Sequence, residues 1–365
     1  MKKKVLYISR AYINDSPVGI RYINFRKYLE ATTELTVLNL TGQSLLFSQR
    51  TKFNRFINRI IRKLPLLPDS DILILRKYKK ALKKLLHQNK YDTVIIGILP
   101  VSFLYLAEFV KKINPELKTI VDMSDPISAQ ISFRSLLKLK QNFLLKLEEK
   151  CFKFIDSLIV LNDEIKEYYK KKYNIRNIII IEQGIEKSLI MNDKKVKYNN
   201  LDEIKLIYAG QLYKGGREPF ELYEAITKTR YKVKLNIYGN FKKYFRPPKN
   251  DRFYYGGIIS RKELINKYKE SQIIVFIDNK DTLQIPGKTI EILTFNKPIL
   301  FIYYNYDSPT FNYVKKYEGI YFSNNNSDDI NSSINDIMIN NNFYFKRDLT
   351  NYIWNNLLTR ISNII

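Results

Sequence analysis

The chain has 365 residues, enough for two ordinary domains, and its 45% hydrophobic and 14% aromatic content can fill packed cores. One cysteine, Cys151, and one histidine, His87, exclude an internal disulfide, a cysteine-rich zinc site and a histidine cluster, and fit a reducing cytosol. A formal net charge of +26 implies a polyanionic partner, nucleic acid or an anionic membrane face, although a composition rich in Asn, Ile, Lys and Tyr accounts for part of the excess.

At the N-terminus, "MKKKVLYISR" has too short an apolar run for a signal-peptide core. "KKVLYIS" reads as a buried strand, followed by a polar loop, a helix over "GIRYINFRKYLEAT" and a strand over "LTVLNL", which together make a β-α-β unit. The alternation resumes with "YDTVIIGIL", "SFLYLAEFVKKI", "KTIVDMSDP", a long helix over about 133–154, "SLIVLN", "DEIKEYYKKKY" and "NIIIIEQG". Residues 186–203 lose apolar periodicity and read as a linker between a domain at 1–185 and a second one at 204–342. The second series runs "IKLIYAG", "EPFELYEAIT", "VKLNIYG", "RFYYGG", "SRKELINKYKES", "QIIVFID", "KTIEILTF", "KPILFIY", "SPTFNYVKKY", "GIYFS" and a helix near 327–339. Residues 343–365 read as a last amphipathic helix with Trp354 on its apolar side, expected to pack back on the N-terminal domain. The longest uncharged run, Thr93 to Ala107, is broken by Pro100 and falls short of the roughly 20 residues of a spanning helix.

Two doubly wound α/β domains place ligands at the carboxyl ends of their strands and often in a cleft between the domains. Within "IPGKTIEILTFNKPIL", Gly287-Lys288-Thr289 is not a P-loop, because Thr282 stands where that motif needs its first glycine. The segment still reads as a helix start after Pro286, offering backbone amides, a dipole and the Lys288 charge to an anion, or else simply as a helix start with a solvated lysine. Glu291 lies one turn on and faces the same side, or complements the dipole as a first-turn acid. "GQLYKGGREP", beginning at Gly210, carries Lys214 and Arg217 on a loop between strand and helix, suited to gripping phosphate or incidentally charged. "YYGGII" offers main-chain groups from Gly257 to Ile259. The acidic runs at 69–71 and 278–281 lack a convincing metal-binding context, and no required metal or cofactor is expected. A dinucleotide oxidoreductase is excluded by the lack of G-x-G-x-x-G after the first strand.

The order of motifs resembles the GT-B glycosyltransferases, specifically retaining family 4, over nearly the whole chain. The resemblance rests on "PVGIRYINFRKYL", "IVDMSDPIS", "FIDSLIVLNDEIKEYY" before "IIIIEQGIE", "LIYAGQLYKGGREPFELYEAI", "YYGGIISRKELINKYKESQIIVF" and "GKTIEILTFNKPIL". It implies two Rossmann-like domains with an interdomain cleft and transfer of a sugar from a nucleotide-sugar donor, most simply a UDP-sugar, to a glycan or lipid-linked acceptor with retention. It further implies catalytic Arg217 and Lys288, donor contacts from Gly210, Lys214, Gly257, Ile259, Pro286, Gly287, Thr289 and Glu291, with Glu291 on the ribose, and acceptor-side contacts from Gly19, Arg21 and Asp125. Two positions depart from the pattern: Leu283 replaces a glutamate eight residues before Glu291, and Gln211 replaces an arginine.

Between 50 and 86 stand twelve Lys or Arg against Asp69 and Asp71. Phe53, Phe56, Ile57, Ile60 and Ile61 recur at helical spacing among Arg55, Arg59, Arg62 and Lys63, the pattern of an interfacial helix on an anionic membrane, or of an ordinary domain helix. The expectation is therefore a cytoplasmic glycosyltransferase, peripheral at the inner face of the cell membrane, acting in surface polysaccharide or glycoconjugate synthesis. A GT-B protein that binds nucleotide sugar without transferring it is the alternative, and a nucleic-acid-binding protein, suggested by the charge and the 28 tyrosines, is a weaker one. A nucleic-acid partner is not expected, since the tyrosines are spread through strands and helices and no recognised binding motif is present.

Overall fold

The computed structural model describes residues 2–10, 17–40, 67–128, 137–175, 177–190, 203–280 and 283–365. They form two compact units, Met1–Gly184 with Tyr352–Ile365, and Ile185–Asn351.

In the first unit, strands β1 Lys4–Ile8, β2 Glu34–Leu38, β3 Thr93–Gly97, β4 Lys118–Asp122, β5 Ser157–Val160 and β6 Asn177–Ile180 pair in parallel in the order β2-β1-β3-β4-β5-β6. Central strands of such a sheet are covered on both faces, which is why β3 and β5 are buried at every position and read as unbroken apolar runs. Helices α1 Pro17–Thr32, α2 Leu75–Gln88, α3 Leu104–Ile113, α4 Leu137–Cys151 and α5 Asp163–Lys172 make the crossovers. The termini of α5 follow elementary capping rules: the Asn162 side chain accepts the Ile165 amide at 2.8 Å, and Lys170, Lys171 and Lys172 occupy the last turn.

In the second unit, β7 Ile204–Ala209, β8 Val233–Tyr238, β9 Phe253–Gly257, β10 Ile273–Ile277, β11 Ile299–Tyr303 and β12 Ile320–Asn324 pair in parallel in the order β12-β11-β10-β7-β8-β9. Its helices are α6 Phe220–Lys228, α7 Arg261–Glu270, α8 Thr289–Leu293, α9 Pro309–Val314 and α10 Ser327–Asn340. A reciprocal capping box between Ser260 and Glu263 starts α7. Leu206, Leu235, Ile273, Val275 and Leu300 from the strands meet Leu222, Ile226, Ile330 and Ile334 from α6 and α10 in one core.

Of the linker expected at 186–203, Lys187–Leu189 forms a 3-10 turn, and 191–202 lie outside the described residues. The single helix expected over 343–365 does not form. Arg347 is buried and donates to the carbonyls of Lys297 at 2.9 Å and Glu318 at 3.0 Å, while the Phe345 amide donates to Asn296 O at 2.7 Å. These bonds commit the segment to an irregular path along the second unit, and winding starts only beyond it, with 3-10 turns at Thr350–Tyr352 and Thr359–Asn363 on either side of α11 Trp354–Leu358. Trp354, Leu357, Leu358, Ile361 and Ile364 complete the first unit's core against Val5, Tyr7, Tyr22, Phe25 and Leu29.

Residues 50–66 of the basic stretch, with Arg55, Arg59, Arg62 and Lys63, lie outside the described residues. Beyond them, α2 behaves as a domain helix: Leu75, Tyr78 and Leu82 are buried, with the Tyr78 ring 4.5 Å from that of Phe103. Among the described residues no helix is long and apolar enough to cross a membrane.

Candidate functional site

The second sheet changes winding direction between β7 and β10, the switch point at which open α/β sheets bind their ligands. Two loops meet there. The one after β7 closes on itself, with the amide of each of Tyr213 and Arg217 donating to the other's carbonyl at 3.0 Å and Gly215 at φ +74°, a left-handed turn that glycine adopts without strain. Across the switch point, Arg217 Nη2 and the Tyr213 hydroxyl both donate to Asn279 Oδ1, at 2.6 and 2.7 Å. Asn279 is fixed in turn, because its amide donates to Asp278 Oδ1 at 2.8 Å and Asp278 is buried and accepts the Ser308 hydroxyl. Burial raises the Asp278 pKa, and the bonds from Ser308 and Asn279 oppose that shift. The Nε of Arg217 is buried and has no hydrogen-bond partner among the described residues, a donor left unsatisfied beside the Asn279 contact.

Lys288 lies half-buried just before α8, and among the described residues its ammonium has no hydrogen-bond or ion-pair partner. Burial lowers its pKa, Glu291 opposes that, and Arg217 and Arg261 lower it further. Arg217, Lys288 and Glu291 are thus brought within electrostatic reach of one another. Glu291 is held by Arg261, whose Nε and Nη2 both donate to Oε2, at 3.2 and 2.6 Å. The other carboxylate oxygen, Oε1, accepts no bond among the described residues. Sequence reading missed Arg261, although its place at the head of α7, just past "YYGGII" and the Ser260 cap, was an available signal.

The phosphate cradle expected at Gly287 to Thr289 needs correcting. Thr289 is buried and turns both its amide, at 2.9 Å, and its hydroxyl, at 2.7 Å, onto the carbonyl of Pro286. That leaves the amides of Gly287 and Lys288, and α8 has only 5 residues, so its dipole is weaker than a longer helix would give. Positive charge from side chains dominates this site.

On the other side of β7, Gly210 and Gly257 line the strand ends. Gly239 donates its amide to Gly257 O at 2.8 Å, and Gly210 donates to Tyr238 O at 3.0 Å. Gly239 adopts φ +148°, and a Cβ there would stand 1.9 Å from the Gly210 carbonyl oxygen. Gly239→Ala is therefore expected to destabilise the protein by more than ~1 kcal/mol through backbone strain and to displace the Gly210 loop. Urea melts measure the first effect and amide chemical shifts at 209–218 the second; a neutral substitution would contradict this packing. Gly257 has φ +65°, Ile258 is exposed, Ile259 is half-buried, and Lys214 is exposed with no ion-pair partner among the described residues.

The first unit holds the residues expected on the acceptor side. Gly19 is buried in the first turn of α1, and Asp125 is half-buried in the loop after β4. Arg21 is fully buried, and the acceptor contact expected of it gives way to an internal role. Its Nη2 and Nε donate to Asp122, the shortest contact being 2.7 Å, and its Nη1 donates to the carbonyls of Ile181 and Glu182 at 3.0 Å. Sequence reading also missed Glu148. This fully buried carboxylate accepts the Ser128 amide at 3.0 Å, the Tyr169 hydroxyl at 2.8 Å and the Tyr173 hydroxyl at 2.9 Å. Tyr169 also accepts the Ile127 amide at 3.1 Å, so the loop bearing Asp125 is clamped from α4 and α5. Among the described residues no three His, Cys, Asp or Glu side chains gather as a metal site requires.

Two Rossmann-like units with six-stranded parallel sheets and interleaved helices define the GT-B fold. A glycosyltransferase from Rickettsia africae superposes with a TM-score of 0.61 at 15% identity, covering 100% of this chain and 97% of its own. Anabaena HepE in complex with UDP and glucose gives 0.58 at 10% identity over 99% and 95%. The lipopolysaccharide outer core galactosyltransferase WaaB gives 0.60 at 11% identity over 99% and 98%. No family model and no curated protein sequence matches the chain.

Proposed function

We propose that the chain is a metal-independent glycosyltransferase of the retaining family 4 type. It moves a sugar from a UDP-sugar, or another nucleotide sugar, to a glycan or lipid-linked acceptor in surface polysaccharide or glycoconjugate synthesis, at the cytoplasmic membrane face. The observation that carries this reading is the cationic group of Arg217, Lys288 and Arg261 beside Glu291, with Arg217 at the β7/β10 switch point. As the bond from the sugar's anomeric carbon to the diphosphate breaks, charge accumulates on the leaving oxygen, and Arg217 and Lys288 stabilise it most at that moment. The acceptor oxygen bonds the same carbon on the same face, and its proton passes to the departing phosphate oxygen. Glu291 Oε1, left open by Arg261, accepts from the ribose hydroxyls. UDP and UDP-glucose bound to HepE on the same fold favour a UDP donor.

A second reading, nucleotide-sugar binding without transfer, is favoured by Leu283 and Gln211 standing where the resembling enzymes carry glutamate and arginine. A thermal-shift panel of UDP-, GDP-, ADP- and TDP-sugars tests donor binding: a ligand at about 100 times its dissociation constant stabilises by ~2.7 kcal/mol. No shift with any donor defeats both readings. A shift without transfer or hydrolysis across a broad acceptor set selects the second.

A further inference from the structure

We propose that the first unit carries a binding site for one anionic phospholipid, in the groove where α2, α3 and the end of α4 meet. A cavity of about 360 Å³ lies there, walled by Ile72, Leu75 and Phe109 and surrounded by Lys79, Lys112 and Lys150. Two ammonium groups stand over rings of the lining: Lys79 Nζ is 5.4 Å from the Phe109 ring centre, and Lys150 Nζ is 5.8 Å from that of Tyr105. The one carboxylate in the lining, Glu108, is shared between Lys112 at 2.8 Å and Lys150 at 3.0 Å. Lys79 has no acidic partner among the described residues. Three ammonium groups thus face one carboxylate, and the groove keeps a positive excess.

That combination selects its ligand. A concave apolar wall gains by covering hydrocarbon, and a positive rim gains by meeting phosphate. An acidic glycan or a nucleic-acid backbone would satisfy the rim and leave the wall wet, whereas a zwitterionic lipid would satisfy the wall and leave the charge excess unanswered. The volume is near the lower end of small-molecule sites, so the groove takes a headgroup with the first carbons of its chains and leaves the rest in the bilayer. Exposed Arg76, Lys77 and Lys80 on α2 extend the cationic surface around it. The inference is independent of the donor site, since every lining residue belongs to the first unit.

The test uses the full chain and dihexanoyl phosphatidylglycerol below its micellar concentration, followed by calorimetry. One lipid should bind per chain. Lys79→Glu should weaken binding at least tenfold, and Lys79→Gln several-fold, with thermal unfolding unchanged. Glu108→Gln should tighten it, because Lys112 and Lys150 lose their carboxylate; damage to the fold cannot produce that sign. Affinity for dihexanoyl phosphatidylcholine or inorganic phosphate equal to that for the anionic lipid overturns the proposal. So does insensitivity to the Lys79 and Glu108 variants, or tighter binding of a single-stranded oligonucleotide at the same residues.

Discussion

Lys288→Ala and Arg217→Ala are each expected to lower turnover 100- to 1000-fold, on the order of 2.7–4 kcal/mol, while donor affinity falls by much less. The asymmetry follows from timing. The diphosphate gains negative charge as the glycosidic bond breaks, so a cation placed beside it contributes more to the transition state than to the bound donor. Lys288 suits this role because no carboxylate or carbonyl of the described residues occupies its ammonium, and Arg217 because its Nη2 is anchored on Asn279, which fixes the guanidinium at the switch point. Glu291→Gln should show the reverse pattern, raising KM at nearly constant kcat, since a ribose contact is already complete in the ground state. Steady-state transfer assays combined with donor calorimetry separate these outcomes. If affinity falls as far as kcat/KM in both cation variants, the pair merely holds the donor, and unchanged kinetics would place the donor site elsewhere.

Breaking the ion pair between Arg21 and Asp122 should cost about 3–5 kcal/mol, because both side chains are fully excluded from solvent and removing one leaves the other charged and buried. Asp122→Asn and Arg21→Met should therefore each unfold the first unit at markedly lower urea concentration. The double variant Arg21→Met with Asp122→Leu should recover part of the loss, since no lone charge remains and apolar groups fill the volume. The two units can unfold separately, so the melt needs a probe reporting on the first; Trp354, the sole tryptophan and buried in that core, provides it. Single variants as stable as the parent would show that this pair is not what anchors α1.

The strand and helix order was legible because parallel strands buried on both faces must be apolar throughout, so "TVIIG", "IIVFI" and "ILFIY" stand out against amphipathic helices. The loops that make up the proposed donor site stood out for a related reason: those at strand ends carry the glycines and cations, and the strand order brings the ones after β7 and β10 together. What stayed hidden depends on partners distant in sequence. Nothing local to "GIRYIN" says that Arg21 meets Asp122, and nothing in "KLEEKC" says that Glu148 rather than Glu149 is the buried carboxylate. The same limit explains Thr289 and the tail. Helical periodicity counts apolar positions, but it does not reveal that Pro286 O takes the Thr289 amide, or that Arg347 is drawn in by carbonyls of the second unit.

The return of Trp354 to Ile364 to the first unit's core imposes an order on folding. A ribosome delivers β1 and α1 first, yet Tyr7, Tyr22 and Phe25 acquire their last neighbours only when Trp354, Leu357 and Ile361 emerge. At ~5–20 residues per second the intervening second unit takes roughly ten to thirty seconds to translate, long enough to fold before its predecessor in sequence is complete. Through that interval the nascent first unit holds an unfinished apolar face, a natural substrate for chaperones, and its maturation waits on residues made after the second unit.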